Sequence, residues 1–192
     1  MFRKFFFAFV VLNLMLLPFA VSANAFGESF IAWDTIQADA VTIHDQALTL
    51  EQEAFQVRQN ALAIQQVETN PEVIELAGTI AGLAGQIEQD AAAIADIADA
   101  INYRTDNSED TTLFLADDIG EMADRIGEMA DRILWTELQI GIMADRIVVS
   151  EHLIDEGTLN TVNEIQETLG TMTNRTHVIQ DATMSIQRQL AF

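Results

Sequence analysis

Apolar and small residues recur along this chain in alternating steps of four and three, the 3.5-residue seam of helices that pack side by side. The first run is Ile36, Ala40, Ile43, Ala47, Leu50, Ala54, Val57, Ala61 and Ile64. Every second position is alanine, so a neighbouring helix can approach closely. Asn70-Pro71 ends this run, because the residue before a proline avoids helical geometry. Pro71 and Glu72 open the next helix, proline taking the first helical position where its missing N–H costs nothing.

The second run is Leu76, Ile80, Leu83, Ile87, Ala91, Ile94, Ala98 and Ile101. A polar stretch from Asn102 to Thr112 follows and predicts a loop, with Ser, Asp and Thr near its end as helix caps. The third run carries an internal repeat. Ile119-Gly-Glu-Met-Ala-Asp-Arg125 is followed at once by the identical heptad Ile126 to Arg132, then by a degenerate one, Ile133-Leu-Trp-Thr-Glu-Leu-Gln139. It returns as Ile140-Gly-Ile-Met-Ala-Asp-Arg146. With isoleucine at position a, the seam reads Ile119, Met122, Ile126, Met129, Ile133, Ile140, Met143 and Ile147, and Ala123, Ala130 and Ala144 at position e widen it.

The last run is Val162, Ile165, Leu169, Met172, Thr176, Ile179, Thr183, Ile186 and Leu190, four residues out of phase with the third. Two arrangements account for that shift. In one, Gly157 closes the third helix in a left-handed conformation, and Thr161 with Glu164 forms a capping box for the fourth. In the other, the shift is a stutter within one helix of about 80 residues. The first predicts an all-α, antiparallel four-helix bundle with helices at about 28–69, 72–101, 112–155 and 159–190. The second predicts a helical hairpin plus one long stuttered helix that oligomerises to cover its seam.

The N-terminus has a different pattern. Arg3-Lys4 precedes an apolar run from Phe5 to Leu17, and Ala23-Asn24-Ala25 offers a small-x-small cleavage pattern. This predicts a bacterial signal peptide at residues 1–25, cut between Ala25 and Phe26, with residues 26–192 as one domain. The run is shorter than the roughly 20 apolar residues of a membrane anchor. The expected product is soluble and either periplasmic or extracellular.

Charge narrows the partners. The chain has nine Lys+Arg against 30 Asp+Glu, a net charge of −21. Removing the leader removes its only lysine and leaves seven arginines, a charge of −23. Nucleic acid and anionic lipid headgroups call for clustered cations, so both are poor partners. The absence of cysteine excludes disulfides, zinc-thiolate sites and thiol nucleophiles.

Little else points to chemistry. The only histidines are His44, His152 and His177, and three residues before them stand Val41, Val149 and Asn174. A di-iron bundle, which needs Glu-x-x-His pairs, is therefore excluded. Methionines at helical spacing read as core packing ahead of soft-metal binding. Asp106, Glu109 and Asp110 lack the spacing of a calcium loop. No phosphate-cradling motif occurs. The sequence thus predicts no catalytic residue, no cofactor and no metal ligand.

One segment departs from the rest. Residues 73–87 contain a single charge, Glu75, and Gly78, Gly82 and Gly85 in small-residue spacing. Such spacing lets helix backbones touch, inside a bundle or in lipid. The leading expectation is an exported, acidic, non-enzymatic helical bundle that presents long surfaces to protein partners, including copies of itself. The alternative is a membrane-active protein using residues 73–87, and a weaker one is loose cation binding by surface carboxylates.

Overall fold

The computed structural model describes residues 31–106, 113–150 and 154–191. Four long helices account for nearly all of them: α1 (Trp33–Val67), α2 (Pro71–Asp106), α3 (Leu113–Val149) and α4 (Glu156–Leu190). Each has 35 to 37 residues, a length of about 50–55 Å at 1.5 Å per residue. Among the described residues there is no strand. The four-helix alternative therefore holds, and the single stuttered helix does not.

Side-chain pairs fix the topology. Gln37 near the start of α1 reaches Asp106 at the end of α2, and Gln65 near the end of α1 reaches Ile74 at the start of α2. Arg146 at the end of α3 meets Glu72 at the start of α2, whereas Arg104 meets Asp118. Each helix thus runs antiparallel to the next. Helix α1 packs on α2 and α4, and α3 packs on the same two. The helices form a square, with α1 and α3 on opposite corners.

The core alternates large and small layers. All nine residues of the first seam are buried on α1, and Val73, Ala77, Ile80, Ala84, Ile87, Ala91, Ile94, Ala98 and Ile101 do the same on α2. The alanines of both helices fall on the side that carries the Arg58–Glu88 and Gln65–Ile74 contacts. Alanine therefore meets alanine between α1 and α2, and this pair approaches most closely.

Four helix ends differ from expectation by three residues or more, the first being α1, which begins at Trp33 after Ala32 and later than 28. Helix α2 continues past Ile101 to Asp106, because its polar last turn is tied down: Thr105 donates back to Ile101 O (3.0 Å), and Arg104 and Asp106 bind neighbouring helices. Polar composition there marks exposure; it does not end the helix. Helix α3 stops at Val149 and α4 begins at Glu156, earlier than 155 and 159.

The break itself is made by Asp155. Its carboxylate accepts from Thr158 N at 2.7 Å and caps α4, an acid at the helix N-terminus where the dipole favours it. Gly157 is the second residue of α4, and no glycine among the described residues has positive φ. The expected left-handed close at Gly157 and the Thr161–Glu164 capping box are therefore absent. Thr161 donates to Gly157 O within the helix, and Glu164 accepts from Asn60 of α1. The Asn70-Pro71-Glu72 start is as expected, with Glu72 N donating to Asn70 Oδ1 at 3.0 Å.

Candidate functional site

The repeated heptad of α3 resolves into one task per residue. Ile119, Ile126, Ile133, Ile140 and Ile147 are fully buried. The next innermost line is Ala123, Ala130 and Ala144, also fully buried, whereas Met122 and Met143 are only half-buried and Met129 retains 8% exposure. The methionines of the expected seam flank the core on the arginine side, and the alanines complete it. Gly120 and Gly127 lie under Leu190 and Thr183 of α4.

The aspartates of the repeat face the other way, toward α4. Gln187 donates to Asp124, Gln180 to Asp131 and Gln166 to Asp145, at 2.7, 2.7 and 2.8 Å. The arginines reach α2: Arg132 meets Asp90 at 2.7 Å and Arg146 meets Glu72 at 3.2 Å. The hydrogen bond to Asp90 is the main cause of a raised Arg132 pKa, with Glu128 adding a smaller attraction. One heptad therefore serves core, close approach and two polar seams.

The degenerate heptad keeps only the isoleucine: Leu134 replaces glycine, Gln139 replaces arginine, and four further changes follow. Thr136 replaces methionine, Glu137 replaces alanine, Leu138 replaces aspartate and Trp135 replaces the outward glutamate. Opposite Leu138 the glutamine series of α4 is also interrupted, by Thr173. Thr173 turns to Glu137 instead, donating to Oε2 at 2.8 Å, and Thr176 donates to Oε1 at 2.9 Å.

Glu137 is 4% exposed, the most deeply placed carboxyl among the described residues. Burial pushes its pKa up to about 7; the two threonine hydroxyls pull it down, and the nearby Glu53 carboxylate pushes it up again. Removing a charge from water favours the neutral acid, and donated hydrogen bonds favour the anion. Each hydroxyl has a second acceptor in reach, Leu169 O for Thr173 and Met172 O for Thr176. Both hydroxyls can donate to the anion. When the acid is neutral, one can turn to its own helix and accept the carboxyl proton.

Glu53 extends this layer to α1. It accepts from Arg175 Nε (3.0 Å) and Thr171 Oγ1 (3.0 Å), and Arg175 also donates to Gln46 (3.0 Å). The polar layer thus spans α1, α3 and α4. Glu137 was missed in the sequence because a glutamate beside a seam reads as surface; its one signal is that it stands where the repeat places alanine.

The remaining residues of interest stay apart from this layer. Gly78 leaves room for Gln65, whose amide donates to Ile74 O at 3.2 Å; a Cβ at Gly78 would lie 2.5 Å from that amide nitrogen. Gly85 lies against the Arg58 stem and Gly82 is open to solvent. Residues 73–87 are packed as part of α2, and among the described residues no helix is long and apolar enough to cross a membrane. His44 is partly exposed beside Asp45, and His177 is exposed beside Gln180. No cluster of potential metal ligands occurs among the described residues. Residues 1–25 with the Ala25–Phe26 junction, His152, Glu109 and Asp110 lie outside the described residues.

Among the large apolar side chains exposed on the described residues, two sets lie along single helices. On α1, Val41, Leu48, Phe55 and Leu62 recur every seven residues and are all exposed. On α3, Phe114 is exposed in the first turn, and Trp135, Leu138, Ile142 and Val149 are exposed from the degenerate heptad onward. No family model, no curated protein and no solved structure matches the chain, so its function is read from its own residues.

Proposed function

We propose that this is an exported, acidic, non-enzymatic helical bundle that works by presenting its outer faces to protein partners. The carrying observation is the placement of eight large apolar side chains, a heptad-spaced set of four on α1 and a helically spaced set of four on α3, on the exterior of a chain with net charge −21. Apolar sets of this kind mark contact faces on water-exposed bundles. Export rests on the Arg3-Lys4, Phe5–Leu17 and Ala23-Asn24-Ala25 sequence.

Photoactivatable residues placed in the producing cell at Phe55, at Trp135 and, as control, at Glu121 test this reading. Discrete protein adducts are expected from the first two positions and none from Glu121. Absence of protein adducts from both apolar positions would remove the interaction reading. N-terminal sequencing of the released protein tests export separately; it should begin at Phe26, and an intact Met1 would end that part.

A further inference from the structure

We propose that α4 is a proton-controlled strap: it lies across α1 and α3 while Glu137 carries its proton, and it comes away from them as a unit when that carboxyl ionises. The strap is independent of what the outer faces contact.

The seams single out α4 as the helix that yields. In the order α1–α2–α3–α4, the outer two helices each join one other helix of the bundle, so either can detach by bending one turn. All nine buried residues of α1 are apolar, and its alanines pack closely on those of α2. Of the ten buried residues of α4, Thr158, Thr176 and Thr183 are polar. The Thr183 hydroxyl is satisfied by Ile179 O of its own helix and needs no neighbour. The edges of α4 are held by exposed pairs, Gln166, Gln180 and Gln187 with aspartates of α3 and Glu164 with Asn60, and water replaces such bonds at little net cost. Elements with the least apolar burial open first.

Glu137 sits under the middle of this strap. Its partners Thr173 and Thr176 stand about halfway between Glu156 and Leu190, so fraying at either end of α4 brings it no water. Among the described residues no ion pair includes it. Arg175, the cation of this layer, gives Nε to Glu53 and a terminal nitrogen to Gln46. Glu53 on α1 presents a second carboxylate, which disfavours a charge on Glu137. The acids of α2 near this height, Glu88 and Asp90, are bound to Arg58 and Arg132. On α3 itself Asp131 and Asp145 turn to Gln180 and Gln166, and on α4 His177 is exposed beside Gln180. Glu137 thus has two hydroxyls and no counter-ion. A buried carboxylate without one either keeps its proton or reaches water. Reaching water here means lifting the centre of α4 off α3.

The direction follows from that choice. With α4 away, Glu137 returns to the ordinary glutamate value of 4.5, whereas burial holds it up at about 7. Opening therefore releases a proton, and the open fraction grows as pH rises through that window and levels off above it. The difference between the two values limits this growth to about 300-fold, of which about 70-fold falls between pH 5 and pH 8.

Amide hydrogen exchange of the full-length chain, corrected for the intrinsic pH dependence of exchange, tests this on the wild type and Glu137→Gln. In the wild type, amides of Val162–Ile186 should lose protection by about 70-fold from pH 5 to pH 8. At pH 8 they should be at least about tenfold less protected than those of Ile36–Ile64 and Ile80–Ile101 in the α1–α2 hairpin. Glu137→Gln cannot ionise, and its α4 amides should stay within about twofold of their protection at pH 5. His177 is present in both proteins, so its ionisation drops out of the comparison.

Equal protection of α4 and the α1–α2 hairpin at pH 8 would overturn the strap, because the bundle would then open only as a whole. A wild type whose α4 is equally protected at pH 5 and pH 8 would overturn its control by Glu137. So would a Glu137→Gln variant that loses α4 protection as the wild type does.

Discussion

The α1–α2 and α3–α4 hairpins bury the same kind of seam with different spacing. Between α1 and α2 both helices offer alanines, Ala40, Ala47, Ala54 and Ala61 against Ala77, Ala84, Ala91 and Ala98. The backbones close up and leave room for little besides methyl groups. Between α3 and α4 only α3 offers small residues; α4 answers with Leu169, Thr176, Thr183 and Leu190. That gap is wider, and it admits hydroxyls, a carboxyl and the Asp–Gln pairs along its edge. Close packing confines the polar contacts of α1–α2, Arg58–Glu88 and Gln65–Ile74, to the flank of the alanine seam. The looser seam holds buried threonines, and at the degenerate heptad it also holds a carboxyl, Glu137.

The largest expected effect tests whether that tolerance is local. Glu137 is accommodated because two threonines face it, and no such pair is prepared for Ile126, which is fully buried. Ile126→Asp should cost several kcal/mol, on the order of 4, measured by urea unfolding. A loss below about 1 kcal/mol would mean that the whole α3–α4 seam accepts carboxyls.

Next comes the proton on Glu137. Its folded pKa of about 7 lies above the ordinary glutamate value of 4.5, so the folded state binds more protons than the unfolded state between those pH values. Stability is therefore fully retained below about pH 4.5, falls as pH rises through that window, and is lowest above pH 7. Glu137→Gln keeps the size and removes the charge. It should raise stability at pH 8 by up to about 3 kcal/mol and leave pH 4 nearly unchanged. A parallel melting-temperature profile for both proteins between pH 4 and 8 would show that Glu137 is not held in its buried site.

Overpacking probes the other hairpin. Ala54 is fully buried where α1 and α2 come closest, and Ala54→Leu should cost about 1–3 kcal/mol. Denaturant unfolding with no loss would contradict the close approach.

The smallest effects contrast two glycines. A Cβ at Gly127 meets Thr183 at an ordinary 3.9 Å, so Gly127→Ala should gain up to about 1 kcal/mol of helix propensity. At Gly78 the new methyl displaces Gln65 and its bond to Ile74 O, and the gain should be cancelled. Equal melting-temperature rises at both positions would erase the difference between the seams.

The sequence by itself determined the isoleucines of the seams, the Asn70-Pro71-Glu72 corner and the all-helical class, but not the α2 core next to Leu76 and Leu83, where Ala77 and Ala84 are fully buried and Leu83 is only partly so. Helical periodicity and proline geometry are local, and burying an apolar stripe leaves one choice of face. The acids Asp155-Glu156 were visible as misfits at a helix C-terminus; only the described break between 149 and 156 makes them the start of α4. Tertiary structure alone decided that alanine completes the α3 core with methionine at its flank, because position d or e is chosen by where the neighbours stand. It also chose the partners of Asp124, Asp131 and Arg132, which lie on other helices, far away in sequence. Glu137 shows the same limit most sharply. A seven-residue pattern marks it as the wrong residue for its place, but its protonation depends on two threonines about 40 residues away and on the absence of water, and both exist only once α3 lies against α4.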